Sequence, residues 1–155
     1  MKVVVDTSVW SVYLRRSAPP KSLARVLERF IRRDQVHLLG IVRQELLSGL
    51  AQPQQFDRLS WALSGLPDEL ATSDDHSLAV KFYNLCRARG VQGSSVDFLI
   101  CAMAKRLRSP ILTLDKDFLS YAQYLPVRML SLTAIERSQD RLFIKTLRAN
   151  SSLTA

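Results

Sequence analysis

The stretch from Gly93 to Phe118 constrains the fold most. Ser94 precedes a run in which the apolar residues Val96, Leu99, Ile100, Met103, Ala104 and Leu107 recur at intervals of three and four, the period of a helix buried on one side. Ser94-x-x-Asp97 has the spacing of a capping box with Asp as its acid, so a helix is predicted to start there. Arg108-Ser109-Pro110 ends it, and Ile111-Leu112-Thr113-Leu114 then reads as a short strand covered on both faces, stopping at Asp115. Asp97 also lines up with Ile100, Cys101 and Ala104, on or beside the inward stripe. Two acids therefore stand at the ends of adjacent elements, and the rest of the chain adds more acids to the same region.

Val3-Val4-Val5 forms a first buried strand closed by Asp6, and a helix is predicted to leave it directly through Thr7 to Leu14. Further helices are predicted over 21–33, 41–50, 53–64, 73–88 and 118–124, with strands over 36–39, 69–71 and 127–130. Ser73 reads as the cap of the helix over 73–88, with Asp74 and Asp75 in its first turn. Strands alternating with helices predict an α/β fold, a parallel sheet with helices on both faces. The sequence shows no repeat or linker, and its 155 residues suit one domain with a sizeable core.

Composition bounds the chemistry. With two cysteines in apolar helical contexts and only two histidines, a nitrogen- or sulfur-ligated metal site is nearly excluded, and any metal must be held by oxygen. The cysteines, Cys86 and Cys101, read as buried thiols. No apolar run approaches the ~20 residues that cross a bilayer. The N-terminus enters a strand too early for a signal peptide, so a cytoplasmic location without membrane attachment is expected. The net charge of +8 favours a polyanionic partner. Lys21, Arg25, Arg29 and Arg32 form a basic stripe opposite the apolar face of their helix, either a solvated face or a track for phosphates.

Each acid has both a structural and a chemical reading. Asp6 is suited to cap a helix, yet Asp6 and Asp115 also stand at strand carboxyl ends, where open parallel sheets bind ligands. Glu45 shares a face with Ile41, Val42 and Gly49, away from Arg43 and Gln44, and has no cation at i±3 or i±4. An ionised acid in that position must be paired, protonated or bound to metal. Gly49 is expected to let another element approach closely. Asp117 falls in the first turn of the helix after Asp115, where an acid meets the helix dipole favourably. Acids converging in one crevice repel one another and need a counter-charge, and a hard divalent cation such as Mg²⁺ or Mn²⁺ fits oxygen ligands. An acidic cluster with a basic surround predicts phosphodiester cleavage.

Four segments, Val3-Val4-Val5-Asp6-Thr7-Ser8, Val42 to Gly49, Val96 to Ala104 and Leu112 to Phe118, together resemble the PIN-domain family, and most closely the VapC-type toxins of toxin–antitoxin modules. The resemblance covers residues 1–132. It implies a metal-dependent endoribonuclease using Mg²⁺ or Mn²⁺, with Asp6, Glu45, Asp97 and Asp115 as an acidic quartet that binds the metal. It further implies Asp117 as an assisting acid and Ser8 or Thr113 as hydrogen-bonding residues of the site. An RNA substrate, a homodimer and a VapB-like antitoxin that places an Arg in the crevice belong to the same implication. Residues 133–155, carrying Arg137, Arg141, Lys145 and Arg148, extend past the family pattern as a basic helical extension and tail. Competing readings are a PIN-like module that binds RNA or protein without cutting, a DNA nuclease with the same site, and a response-regulator-like domain. The last would want a lysine near the end of its final strand and no acid at Glu45.

Overall fold

The computed structural model describes residues 1–132. Five parallel strands, β1 (Val3–Val5), β2 (Val36–Leu39), β3 (Asp68–Glu69), β4 (Ile111–Leu112) and β5 (Met129–Leu130), form one sheet in the order β3-β2-β1-β4-β5. The helices are α1 (Thr7–Arg15), α2 (Lys21–Arg32), α3 (Gly40–Leu47), α4 (Pro53–Leu63), α5 (Ser73–Ala88), α6 (Ser95–Arg106) and α7 (Asp117–Tyr121). The predicted parallel α/β architecture is the observed one.

The centre of the sheet is the most apolar strand. Val3, Val4 and Val5 are all fully buried, as a strand covered on both faces requires. Val4 registers with His37 on one side and Ile111 on the other. From β1 the chain moves outward to β2 and β3, then returns to lay β4 along the opposite edge of β1. Right-handed crossovers in opposite directions place α1 to α4 on one face and α5 to α7 on the other. The packing agrees: α1 meets α2 and α3, α3 meets α4, and α5 lies along α6. The reversal makes the carboxyl ends of β1 and β4 the switch point of the sheet, where open α/β sheets bind their ligands.

Several boundaries differ from the sequence reading, each for a local reason. The cap of α5 is Thr72, not Ser73: Thr72 Oγ1 accepts from Asp75 N at 3.2 Å, and Asp75 Oδ2 accepts from Thr72 N at 2.9 Å. Strand β4 stops at Leu112 because the next two residues bond to side chains. Thr113 Oγ1 donates to Asp6, and Leu114 N donates to Ser8 Oγ at 3.0 Å. Helix α3 ends at Leu47, and α7 spans only Asp117–Tyr121. Cys86 and Cys101 are free and buried, as expected. Among the described residues no helix is long and apolar enough to cross a membrane. The predicted extension over 133–155 lies outside the described residues.

Candidate active site

Asp6 is set by the strand it ends. Its backbone N–H still pairs across the sheet, donating to Leu112 O at 3.0 Å, while its side chain already caps α1. Its Oδ2 accepts from Ser8 N at 3.3 Å, from Ser8 Oγ at 2.6 Å and from Thr113 Oγ1 at 2.9 Å. The residue is only 5% exposed. The cap and the crevice acid are thus one geometry, since every partner lies on Oδ2. Ser8 and Thr113, predicted as hydrogen-bonding residues of the site, both contact this carboxylate. Thr113 Oγ1 also accepts from Asp115 N at 3.0 Å, joining the ends of β1 and β4.

Glu45 projects from α3 toward the start of α1, where Thr7 Oγ1 donates to its Oε2 at 2.5 Å. Thr7 follows Asp6 directly, so this bond links Glu45 to the same strand end. Arg43 turns to a different side, as expected, but it is not simply solvated. Its Nε donates to Asp68 at 2.7 Å, and its guanidinium reaches the carbonyls of Leu63 and Leu66. The expectation for Gly49 is corrected: a Cβ there would meet nothing within 4 Å, so no element approaches. Gly49 instead adopts φ +76°, the left-handed conformation that glycine takes without steric cost, just after α3.

Asp97 also performs both of its readings. Ser94 and Asp97 form the predicted capping box, with Asp97 N donating to Ser94 Oγ and Ser94 N to Asp97 Oδ2, each at 3.1 Å. The same Oδ2 accepts from Tyr121 Oη at 3.0 Å. Asp115 and Asp117 are exposed at the start of α7, where Asp117 N donates to Asp115 Oδ1 at 2.9 Å.

The shifts of two neutral neighbours report how these acids are grouped. Burial first, then the carboxylates of Asp97, Asp117 and Asp115, push the Tyr121 phenol far above its ordinary pKa. The Cys101 thiol is raised in the same direction by burial, then by Asp97, Cys86 and Asp6. Asp97, Asp117 and Asp115 thus bear on Tyr121, and Asp97 and Asp6 on Cys101, so Asp97 is the acid common to both. Glu45 is linked to the end of β1 through Thr7.

Among the described residues no cation is ion-paired with these acids. The side-chain ion pairs among the described residues are Lys2–Asp34, Arg43–Asp68 and Arg106–Asp75, with His37 on Glu69, and none uses the five site acids. In a chain of net charge +8, the carboxylates of Asp6, Glu45, Asp97 and Asp115 accept from hydroxyls and amides among the described residues. Among the described residues no three His, Cys, Asp or Glu side chains stand close enough to hold a metal ion as they lie. The donor set is nonetheless the oxygen-only one that Mg²⁺ and Mn²⁺ take, and among the described residues no ion pair competes for it.

Thr7 and Tyr121 are the site residues that the sequence reading missed. Thr7 carried a signal, a hydroxyl next to a strand-end acid. Tyr121 carried none, because its bond to Asp97 depends on how α7 packs on α6.

Fold and crevice together define an α/β domain whose acids line the switch point of a parallel sheet. The chain belongs to the PIN-domain family, whose model matches residues 3–124. Solved structures share the fold. A chain of FitAcB from Neisseria gonorrhoeae is 20% identical with a TM-score of 0.67, covering 84% of this chain and 97% of its own. A chain of VapBC2 from Rickettsia felis, bound to a DNA fragment from its promoter, is 19% identical with a TM-score of 0.69, covering 84% and 98%. A chain of VapBC-1 from nontypeable Haemophilus influenzae is 19% identical with a TM-score of 0.65, covering 86% and 99%. No curated protein sequence matches the chain.

Proposed function

We propose that this PIN domain is a Mg²⁺- or Mn²⁺-dependent endoribonuclease and the toxin of a type II toxin–antitoxin pair. The observation that carries the reading is the absence of any ion pair to Asp6, Glu45, Asp97, Asp115 or Asp117 among the described residues, in a strongly basic protein. Carboxylates crowded at a sheet's switch point without a counter-charge are costly unless a cation completes them. Asp6, Glu45, Asp97 and Asp115 would hold the ion, with Asp117 assisting from the first turn of α7. A divalent cation supplies Lewis-acid charge stabilisation and lowers the pKa of water when bound. The chain's own part is positioning. Ser8 and Thr113 fix the Asp6 carboxylate, Thr7 fixes Glu45, and Tyr121 together with Ser94 fixes Asp97.

The partners follow the same reading. The exposed cations Lys21, Arg25 and Arg32 on α2 offer a track for RNA phosphates. The named neighbours are FitAcB and VapBC proteins, which supports a VapB-like antitoxin; it would bring an Arg into the crevice, and the chain would act as a homodimer in the cytoplasm.

The purified protein is expected to cleave RNA when Mg²⁺ or Mn²⁺ is added and to stop when EDTA removes it. Cleavage undiminished by EDTA overturns the mechanism. A rival reading, a module that binds without cutting, is favoured by the hydroxyl and amide partners that Asp6, Glu45, Asp97 and Asp115 already have. RNA binding without cleavage in either metal would establish it, and a parallel DNA substrate tests the DNA-nuclease alternative.

A further inference from the structure

A cavity of about 240 Å³ opens between the end of α5 and the start of α6, lined by Tyr83, Arg87, Val91, Gln92, Gly93 and Phe98. It adjoins the crevice through Gly93. A Cβ at Gly93 would collide with the Tyr121 hydroxyl, whose proton goes to Asp97, and would come within 2.9 Å of Phe98 Cε2. Gly93 therefore packs directly on the phenol that holds Asp97, and Phe98 follows Asp97 in the chain.

The lining has a consistent chemistry. Phe98 is buried and meets Tyr83 edge to face at 5.6 Å, while Tyr83 is only half-buried. The exposed Arg87 lays its guanidinium against Tyr83, donating to the phenol oxygen at 3.3 Å. Its charge meets no carboxylate in the ion pairs among the described residues. Gln92 is exposed and brings an amide that both donates and accepts. A planar ring, a planar cation, an amide for edge hydrogen bonds and the apolar Val91 together complement a nucleobase attached to a phosphate. Unstacked RNA bases are recognised by such groups. The volume falls below the roughly 300 Å³ at which pockets for drug-sized ligands begin, so it suits a single base. Resting on the nuclease reading above for its place in the reaction, we infer that this cavity is a base-binding subsite holding one nucleotide beside the cleaved phosphate, and that it sets sequence preference.

The test is binding by the full chain without metal. Nucleosides and 5′-monophosphates of the four RNA bases are titrated while the amide resonances of Gln92, Gly93 and Phe98 are followed by NMR. One base is expected to bind about tenfold more tightly than the weakest, as hydrogen bonds and stacking of ordinary strength allow. Q92A should flatten that preference, and R87A should weaken the monophosphates while sparing the nucleosides. Both residues are exposed, so neither variant threatens folding. Equal binding of all four bases overturns the inference, as does inorganic phosphate reproducing the shifts, or no shift at millimolar concentration. Base-selective binding in a protein that cuts no RNA would support the subsite while removing the nuclease reading. Cleavage without base binding would keep the nuclease and remove the subsite.

Discussion

Tyr121, fully buried in α7, donates its phenolic proton to Asp97 Oδ2 at 3.0 Å, onto the same oxygen that closes the cap of α6 on Ser94 N. One carboxylate oxygen thereby ties together a helix start, a helix that follows the next strand, and the acidic crevice. Phe98 and Phe118 pack on the Tyr121 ring at 4.9 and 5.3 Å, which holds the phenol in place.

Tyr121→Phe should keep that packing and lose the hydrogen bond. A bond to a charged acceptor contributes about 1.5–3 kcal/mol, so the melting temperature should fall by several degrees. The variant also carries a pH signature. The phenol's pKa is raised by burial and by Asp97, above the ordinary value of 10.0. Its contribution to stability is therefore complete below pH 10 and is lost as the pH climbs toward the folded-state value, because only the unfolded chain readily releases the proton. Denaturant melts should show the wild type losing stability above pH 10 more steeply than Tyr121→Phe. Equal slopes would mean that the phenol is not held neutral by the fold.

Asp6→Asn, Glu45→Gln, Asp97→Asn and Asp115→Asn separate catalysis from folding. Asn caps a helix about as well as Asp, and the Ser8 and Thr113 hydroxyls can rotate to meet an amide, so metal-free stability should change by no more than ~1 kcal/mol. Relief of repulsion should offset part of that loss. RNA cleavage should fall about a hundredfold or more, the scale seen when preorganised charge stabilisation is removed. Asp117→Asn should be milder. Variants that melt much earlier yet keep their specific activity would show the acids to be structural.

Gly93→Ala should push Tyr121 off Asp97. Overpacking costs about 1–3 kcal/mol, and here the nearest obstacles are the Tyr121 hydroxyl, its ring carbon Cζ and the Phe98 ring. Combined with Tyr121→Phe, which removes the colliding hydroxyl, the loss should be smaller than the sum of the two single losses, a coupling measurable in a double-mutant cycle. Strict additivity would show that the collision is relieved elsewhere.

Arg106→Gln serves as a control remote from the crevice. Asp75 is 2% exposed, and both its carboxylate oxygens accept from Arg106 Nε, at 2.9 and 2.8 Å. Burial alone would raise the Asp75 pKa, but the bonds from Arg106 and Thr72 outweigh it and hold the carboxyl below its ordinary 3.8. That stability is present above pH 3.8 and is lost as the pH falls toward the folded-state value. Removing the guanidinium should cost about 1.5–3 kcal/mol at neutral pH, and the difference from wild type should shrink in acid. RNA cleavage per folded molecule should be unchanged.

What the sequence determined by itself was local. The capping box at Ser94 and Asp97, the three buried valines before Asp6 and the helix periods all follow from residues a few positions apart, whereas Asp115 stands three residues past β4 and not at its end. The shift of the α5 cap to Thr72 has the same local origin, since Thr72-x-x-Asp75 satisfies a box that Ser73 does not. Tertiary structure decided the pairings between distant residues. Thr7 on Glu45, Thr113 on Asp6 and Tyr121 on Asp97 depend on β4 returning to the far side of β1, and strand order leaves no period or spacing in the chain. The same return cut β4 short, because Thr113 and Leu114 exchanged strand pairing for bonds to Asp6 and Ser8. It also joined the ends of β1 and β4 through Asp6, Thr113 and Asp115, and among the described residues no ion pair reaches these acids. A carboxylate's local partners are written beside it in the sequence, but its counter-charge, or the lack of one, exists only once the chain has closed around it.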